Sequence, residues 1–207
     1  RMSGFLEPSI SYSSDGLDFM IPYYKVITSR SDITIAPRHI AKRGSGLEIN
    51  YRTLHGEKNN FRNLDIIYFN KDDEFKKETL NSDSSRWIYK FNDVLNLNHS
   101  TINIDWSKSS DDLVLRDIPG DVTSIGYRRI QNLNQNVYIQ TRFKNTKLTI
   151  EHQAYQSLNP ILTNGYKKSP ALNLKYRKNI NGFIFSENLD ISIFKANTIH
   201  GYFGYQT

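Results

Sequence analysis

Residues 3–44 read SGFLEPSISYSSDGLDFMIPYYKVITSRSDITIAPRHIAKRG, and the alternation inside this stretch decides the fold class. Leu6, Pro8, Ile10 and Tyr12 alternate with Glu7, Ser9 and Ser11. After the turn-forming Ser13-Ser14-Asp15-Gly16, Leu17, Phe19, Ile21 and Tyr23 alternate with Asp18, Met20 and Pro22. After Ser29-Arg30-Ser31-Asp32, Ile33 and Ile35 interleave with Thr34 and Ala36. A period of two bounded by Ser, Asp and Gly is the signature of strands and hairpins. The stretch therefore predicts three antiparallel strands. Two of them carry a proline mid-strand, Pro8 and Pro22, and each proline removes a ladder donor and weakens pairing there.

The same period continues outward. Leu47, Ile49 and Tyr51 alternate with Glu48, Asn50 and Arg52; Leu64, Ile66 and Tyr68 with Asn63 and Asp65; Trp87, Tyr89 and Phe91 with Lys90 and Asn92. Ile102, Ile104 and Trp106 follow, then Thr123, Ile125 and Tyr127, and then Val137 to Phe143, a strand that can extend to Ile150. Leu172, Leu174 and Tyr176 alternate with Asn173, Lys175 and Arg177, and Phe183 to Ile193 forms an eleventh strand, with HGYFGYQT as the start of a twelfth. Short turns are expected near 29–32, 56–60, 98–100, 132–136 and 179–182. Long connections are expected over 72–85, 108–121 and 153–170, the first of them charged and solvated, and no helix is expected. In an antiparallel meander every second connection lies at the same end. Long loops at one end and short turns at the other is the asymmetry of a transmembrane β-barrel. The fold class is thus all-β, an up-and-down meander of about eleven strands, part of a large transmembrane barrel, with residues 1–207 as one domain. A two-sheet soluble sandwich gives the same alternation and stays open at this point.

Composition agrees with either. Only 38% of residues are hydrophobic and no apolar run is long enough for a membrane helix, yet a spanning strand needs only about ten residues with one apolar face. Aromatic residues make up 13%, which suits either strand propensity or interfacial girdles. The net charge of +6 is spread along the chain in place of one basic patch, so nucleic acid is not an expected partner. There is no cysteine, hence no disulfide or thiolate metal site in this stretch. The chain opens on Arg1-Met2-Ser3-Gly4 without a secretory leader, so it reads as an internal piece of a longer protein.

Nothing in the residues points to catalysis. His39, His55, His99, His152 and His200 lack metal-ligand spacing and read as exposed polar residues, most of them at or near turns. Asp72-Asp73-Glu74 and Asp111-Asp112 read as solvated loop charge, with a divalent cation as the alternative. No nucleophile elbow, phosphate loop or dinucleotide fingerprint occurs. A non-enzyme without metal or cofactor is expected. Glu48, Asn50, Arg52, Asp65, Lys90, Asn103, Asp105, Arg142, Lys175, Arg177 and Asp190 are the polar set that would line a lumen. Their mixed sign fits a polar path or a partner surface better than an ion filter.

The order SGFL-x-P, PYY, D-x-T-I-x-P-R and RG in the opening strands resembles the start of the barrel in the LptD family (also called OstA or Imp). Weaker similarity runs through SRWIYKFNDVL, IDWSKSSD, IGYRRIQNLNQNVYIQTRFK and SPALNLKYRKN. That resemblance implies an outer-membrane protein that inserts lipopolysaccharide into the outer leaflet of a Gram-negative envelope. A periplasmic jelly roll precedes a very large barrel in the family. Its lumen holds an LptE-type lipoprotein, and periplasmic bridge proteins supply the lipid. It also implies that Pro8 and Pro22 occupy the positions of two prolines weakening a lateral gate between first and last strands. A carbohydrate-binding sandwich and a passive porin are the alternatives. The jelly roll, the closing strands and the family's cysteines are absent from this stretch.

Overall fold

A computed structural model describes residues 2–56, 60–79, 84–125, 131–159, 165–196 and 204–206. In chain order the strands are β1 (Gly4–Phe5), β2 (Ser9–Ser13), β3 (Gly16–Met20), β4 (Tyr23–Thr28), β5 (Ser31–Ile40), β6 (Gly44–His55) and β7 (Asn60–Phe69). They continue as β8 (Arg86–Asn96), β9 (Ser100–Ser109), β10 (Asn132–Phe143), β11 (Thr146–Ser157), β12 (Tyr166–Ile180), β13 (Phe183–Ala196) and β14 (Gly204–Gln206). Two short helices, α1 (Asp73–Thr79) and α2 (Val114–Asp117), sit in the connections. All fourteen strands belong to one antiparallel sheet whose order follows the chain from β4 onward. A sandwich would need a second sheet facing the first, and the described strands build only one.

The opening stretch is three long strands, two of them interrupted. β3 and β4 keep a single register against β5, from Asp18↔Ile40 to Tyr23↔Ile35, and break at Ile21-Pro22. β1 and β2 break at Leu6 to Pro8. Between the pairs Phe5↔Tyr23 and Ser9↔Met20, three residues of the first strand face two of the second, a bulge.

Further along, five expectations are corrected. Thr123 and Ile125 lie in an irregular connection and are buried there, so no strand forms over the described part of 123–127; Tyr127 lies outside the described residues. Residues 132–136 open β10 and are not a turn. The hairpin that follows was hidden in Lys144-Asn145, where Lys144 takes φ 43° and no glycine or proline advertises the turn. Consequently 137–150 is two strands, and much of 153–170 is strand as well, with Pro170 in the register shift between Lys168 and Ala171. The charged segment 72–85 carries α1 and buries Asp72 and Phe75. The end-to-end asymmetry nonetheless stands. Connections 70–85, 110–131 and 158–165 share one end of the sheet, and turns 29–30, 56–59, 97–99, 144–145 and 181–182 share the other.

The register also measures the strand tilt. Leu47, Ile49, Tyr51, Ile102, Ile104, Trp106, Leu172, Leu174 and Tyr176 all fall on one face. Ile49 shares its cross-strand row with Ile66 and Tyr89. Ile104, the middle of its own apolar triplet, shares a row with Asp93, Arg62 and Thr53, which is four residues further along β6. Leu174 shares a row with Leu148, Thr141 and Ser100, four residues from Ile104 along β9. The centre of the apolar band thus slides by eight residues over the six strand spacings between β6 and β12. At roughly 3.4 Å per residue and 4.8 Å per spacing, the strands lean about 43° to the normal of that band. Strands in membrane barrels lean by about 35–45°. The sheet is the tilted wall of such a barrel.

Candidate functional site

The polar residues expected to share a surface do share one. Register places Asp32, Arg52, Asn63 and Asn92 in one cross-strand row and Asn50, Asp65 and Lys90 in the next. Glu48 lies beside them, and Asn103 and Asp105 continue the same face on β9. Arg142, Lys175, Arg177 and Asp190 lie on that face in β10, β12 and β13. Neighbouring amides and carboxylates satisfy one another: Asn50 donates to Asp65 at 2.6 Å and Asn63 at 3.0 Å, Arg52 donates to Asp32 at 2.8 Å, and Asn92 donates to Asp105 at 2.8 Å. On the apolar face Asp93 accepts from Arg62 at 2.7 Å and is 3.0 Å from His55, and register puts Lys25, Lys108 and Glu187 on that face as well.

Pro8 and Pro22 are joined by a third proline. The amide of Leu6 donates to the Pro22 carbonyl at 2.9 Å, and the amide of Ile21 donates to the Pro37 carbonyl at 3.1 Å. In an antiparallel ladder each such bond has a reciprocal partner, which here would come from the nitrogens of Pro22 and Pro37. Neither has a hydrogen. Two successive ladder positions across three strands are therefore half-bonded, and Pro8 sits in the bulge alongside. The wall is also hollowed on both sides at this row. An apolar concavity of about 650 Å³ lies on one face between Phe5, Phe19, Ile21, Tyr23 and Ile35, with the Phe5 and Tyr23 rings edge-to-face at 5.1 Å. A polar cavity of about 300 Å³ lies on the other, lined by Ser9, Ser11, Asp18, Arg38 and Asp121.

Beside that polar cavity the connection after β9 folds down onto the polar face. Val114, Leu115, Ile118 and Ile125 pack on Ile40, Ile67, Phe69 and Ile88, a compact core on an otherwise polar surface. Glu48, fully buried, accepts the amides of Asp121 and Val122 at 3.0 Å each, and Arg38 donates to the Pro119 carbonyl at 2.7 Å. Ser124 donates to Asp65. Arg86 has no solvent exposure; it forks onto Asp111 at 2.7 and 3.1 Å and reaches Asp72 and Asp117 at 2.9 Å each. Its guanidinium lies 4.2 Å over the Phe75 ring. Asp72 meanwhile caps α1, accepting the Phe75 amide at 2.9 Å, and pairs with Arg43 at 3.1 Å. Arg43 and Arg38 carry the network to the first hairpin, through Asp15 at 2.9 Å and Asp18 at 2.6 Å.

These contacts correct the reading of Asp72 and Asp111 as solvated charge. Both are consumed by arginines, and among the described residues no group of three or more His, Cys, Asp or Glu is arranged to hold a metal. His39 is exposed near the end of β5, two residues before a turn, whereas His152 is half-buried in the middle of β11; His200 lies outside the described residues. Arg43 and Arg86 were missed because each stands at or beyond a strand end, where alternation says nothing about what folds over it; Arg38 lies within β5 on the same face as Asp32 and Thr34.

Burial alone would raise the Asp117 carboxyl, but hydrogen bonds from Arg116 and Arg86 and the nearby charge of Arg43 hold it below the usual range. A carboxyl depressed in the folded state stabilises above its unfolded value, about 3.9, and that contribution is lost as pH falls through the folded value. The drop in urea midpoint between pH 7 and acid below pH 4 should therefore shrink in Asp117→Asn. An unchanged drop would remove Asp117 from the fastening.

Comparison with known proteins finds similarity to LPS-assembly protein LptD from several bacteria. The chain is 28% identical over 175 residues to LPS-assembly protein LptD of Pseudomonas aeruginosa, covering 83% of this chain and 18% of that protein. It is 27% identical over 209 residues to LptD of Albidiferax ferrireducens, covering 95% and 25%, and 28% identical over 187 residues to LptD of Sodalis glossinidius, covering 86% and 23%. No family model matches the chain. The chain is an LptD-related segment spanning about a fifth to a quarter of the relatives it matches.

Proposed function

We propose that this segment is part of the wall of an outer-membrane barrel that assembles lipopolysaccharide, and that its first strands form the side through which the lipid leaves. The reading rests above all on the proline row. Pro8, Pro22 and Pro37 thin the hydrogen-bond ladder in the first three strands, while β5 to β9 pair continuously over nine or ten residues each. A passive pore has no use for a locally weakened seam. The hollows on both faces of the row fit the same purpose, one apolar for acyl chains and one polar for the sugar part.

In this reading the apolar face meets outer-membrane lipid in a Gram-negative envelope. The polar face, including Glu48, Asn50, Arg52, Asp65, Lys90, Asn103, Asp105, Arg142, Lys175 and Arg177, lines a lumen shared with an LptE-type lipoprotein. Periplasmic bridge proteins deliver the lipopolysaccharide from the short-turn end. The segment performs no bond chemistry and binds no cofactor. Its role is to hold a wall closed and let one edge yield.

The test is to restore the missing donors in the full-length protein. Each ladder hydrogen bond is worth a net of about 0.5–1.5 kcal/mol. Pro8→Ala and Pro22→Ala should leave protein level and barrel folding unchanged. They should impair lipopolysaccharide delivery, read as sensitivity to large hydrophobic antibiotics, and the double variant should be worse than either single. Adding Pro37→Ala should deepen the defect. Full delivery by the double variant retires the gate and leaves the prolines as edge protection only.

A further inference from the structure

The polar face is electrically divided. On β3 to β8 its arginines Arg38, Arg43 and Arg86 are paired with carboxylates, and Lys90 stands directly opposite Asp65. On β10 to β12 four cations lack such partners. Register sets Arg142 directly opposite Lys147, and Lys147 directly opposite Lys175. Arg177 is the next residue along β12 on the same face. Like charges placed directly opposite across strands are destabilising. Here three stand in one row on three adjacent strands, and none of the four cations makes an ion pair among the described residues. Glu151 and Lys168 are paired with each other at 3.4 Å, further along the strands. The Asp190 carboxylate, diagonal to Lys175 and within electrostatic reach of it, accepts from Asn173 and from Asn188, the latter at 2.6 Å, and makes no ion pair with the row.

A hydrogen-bond row in a tilted wall is itself inclined. Against the apolar band, Lys175 adjoins Leu174, the band's centre on β12. Arg142 lies beyond Ile139, toward the short-turn end of β10. The row therefore climbs from the short-turn end toward mid-height. We infer that Arg142, Lys147, Lys175 and Arg177 form an inclined track that binds the phosphate groups of a phosphorylated glycolipid as it passes along the polar face. Arg142 at the lower end of the row, and Arg177 beside Lys175 on the side of the short turn, each offer a fork to a phosphate oxygen pair, and the two lysines act as point charges. A mobile polyanion supplies the counter-charge that the sheet itself withholds. This rests on the proposed function, and names the part of the lipid that the β10–β12 wall recognises.

The test uses full-length protein folded in phosphatidylcholine vesicles, without other proteins, with a photo-crosslinking residue at Ser186, which faces Arg177. The same residue at Asn103, on the polar face of β9, reports general access. The probes are purified lipopolysaccharide, the same material with its phosphates removed, and phosphatidylglycerol. Crosslinking at Ser186 should favour phosphorylated over dephosphorylated lipopolysaccharide and weaken with salt. Lys147→Gln with Lys175→Gln should lower that yield about tenfold, as expected for loss of a charged hydrogen bond. The double variant should unfold at the same temperature or higher, because it removes repulsion. Equal yields with and without phosphate, or no loss in the variant, overturn the track. Equal crosslinking of phosphatidylglycerol overturns it too, by making the row a general headgroup site. If neither Ser186 nor Asn103 captures lipopolysaccharide, the proposed function fails; capture at Asn103 with phosphate-independent capture at Ser186 removes the track alone.

Discussion

Replacing Arg86 with methionine should cost about 3–5 kcal/mol, the range for breaking a buried ion pair from one side. Arg86 is fully buried and serves Asp72, Asp111 and Asp117 together. Methionine fills similar volume, so the loss is electrostatic: carboxylates selected to face a guanidinium would face a thioether. Arg43, 3.1 Å from Asp72 and 3.7 Å from Asp117, compensates only part, and Asp111 keeps no arginine. Arg86→Lys should fall between, since it keeps the charge and loses the fork onto Asp111. The connection bearing α2 should detach first, because Asp111 and Asp117 bracket it while β7 and β8 retain their ladder. The measurement is the urea midpoint of the full-length protein in lipid vesicles, with protease cleavage within 110–125 as the local readout. A loss under about 1 kcal/mol, with no new cleavage, would mean that the network is not what holds the connection down.

Why that network escaped the sequence while the sheet did not is a matter of range. Alternation is a local signal, and it placed Leu47, Ile104 and Leu174 on one face and Asn50, Asp105 and Lys175 on the other, because the pleat leaves no choice. Even the tilt was latent in those triplets, although reading it required the registers. The hairpin at Lys144-Asn145 was not legible, since Lys tolerates φ 43° there without any sequence mark. Asp72 and Arg86 look like loop charges until a second connection covers them, a contact between residues far apart in sequence. Pro37 was legible in principle. Reflected through the turn at 29–30, Pro22 falls on Pro37, and the bulge between Val26 and Thr28 moves the observed partner by only one residue, to Ile21↔Pro37. Taking Pro8 and Pro22 as a pair missed a row of three. Lys147 escaped for a related reason: only after 137–150 divides into β10 and β11 does it come to face Arg142.

An arginine introduced at the centre of the apolar band should cost about 2–4 kcal/mol at mid-membrane depth, and the structure says which positions show the full cost. Ile49 faces Ile35 on one side and Ile66 on the other, with Tyr89 beyond. An arginine there meets only apolar neighbours, so Ile49→Arg should lose the whole amount in folding into lipid. Ile104 is also central to the band on β9, but its directly opposite neighbour on β8 is Asp93. That carboxylate already accepts from Arg62, and a second guanidinium can share it. Ile104→Arg should therefore cost measurably less than Ile49→Arg, and the gap should close when Asp93→Asn is added. Folding yields in vesicles at graded urea concentrations read all three. If Ile49→Arg is neutral, the face assigned to lipid is wrong. Equal costs for Ile49→Arg and Ile104→Arg would leave the face standing and deny Asp93 any reach across the strand pair.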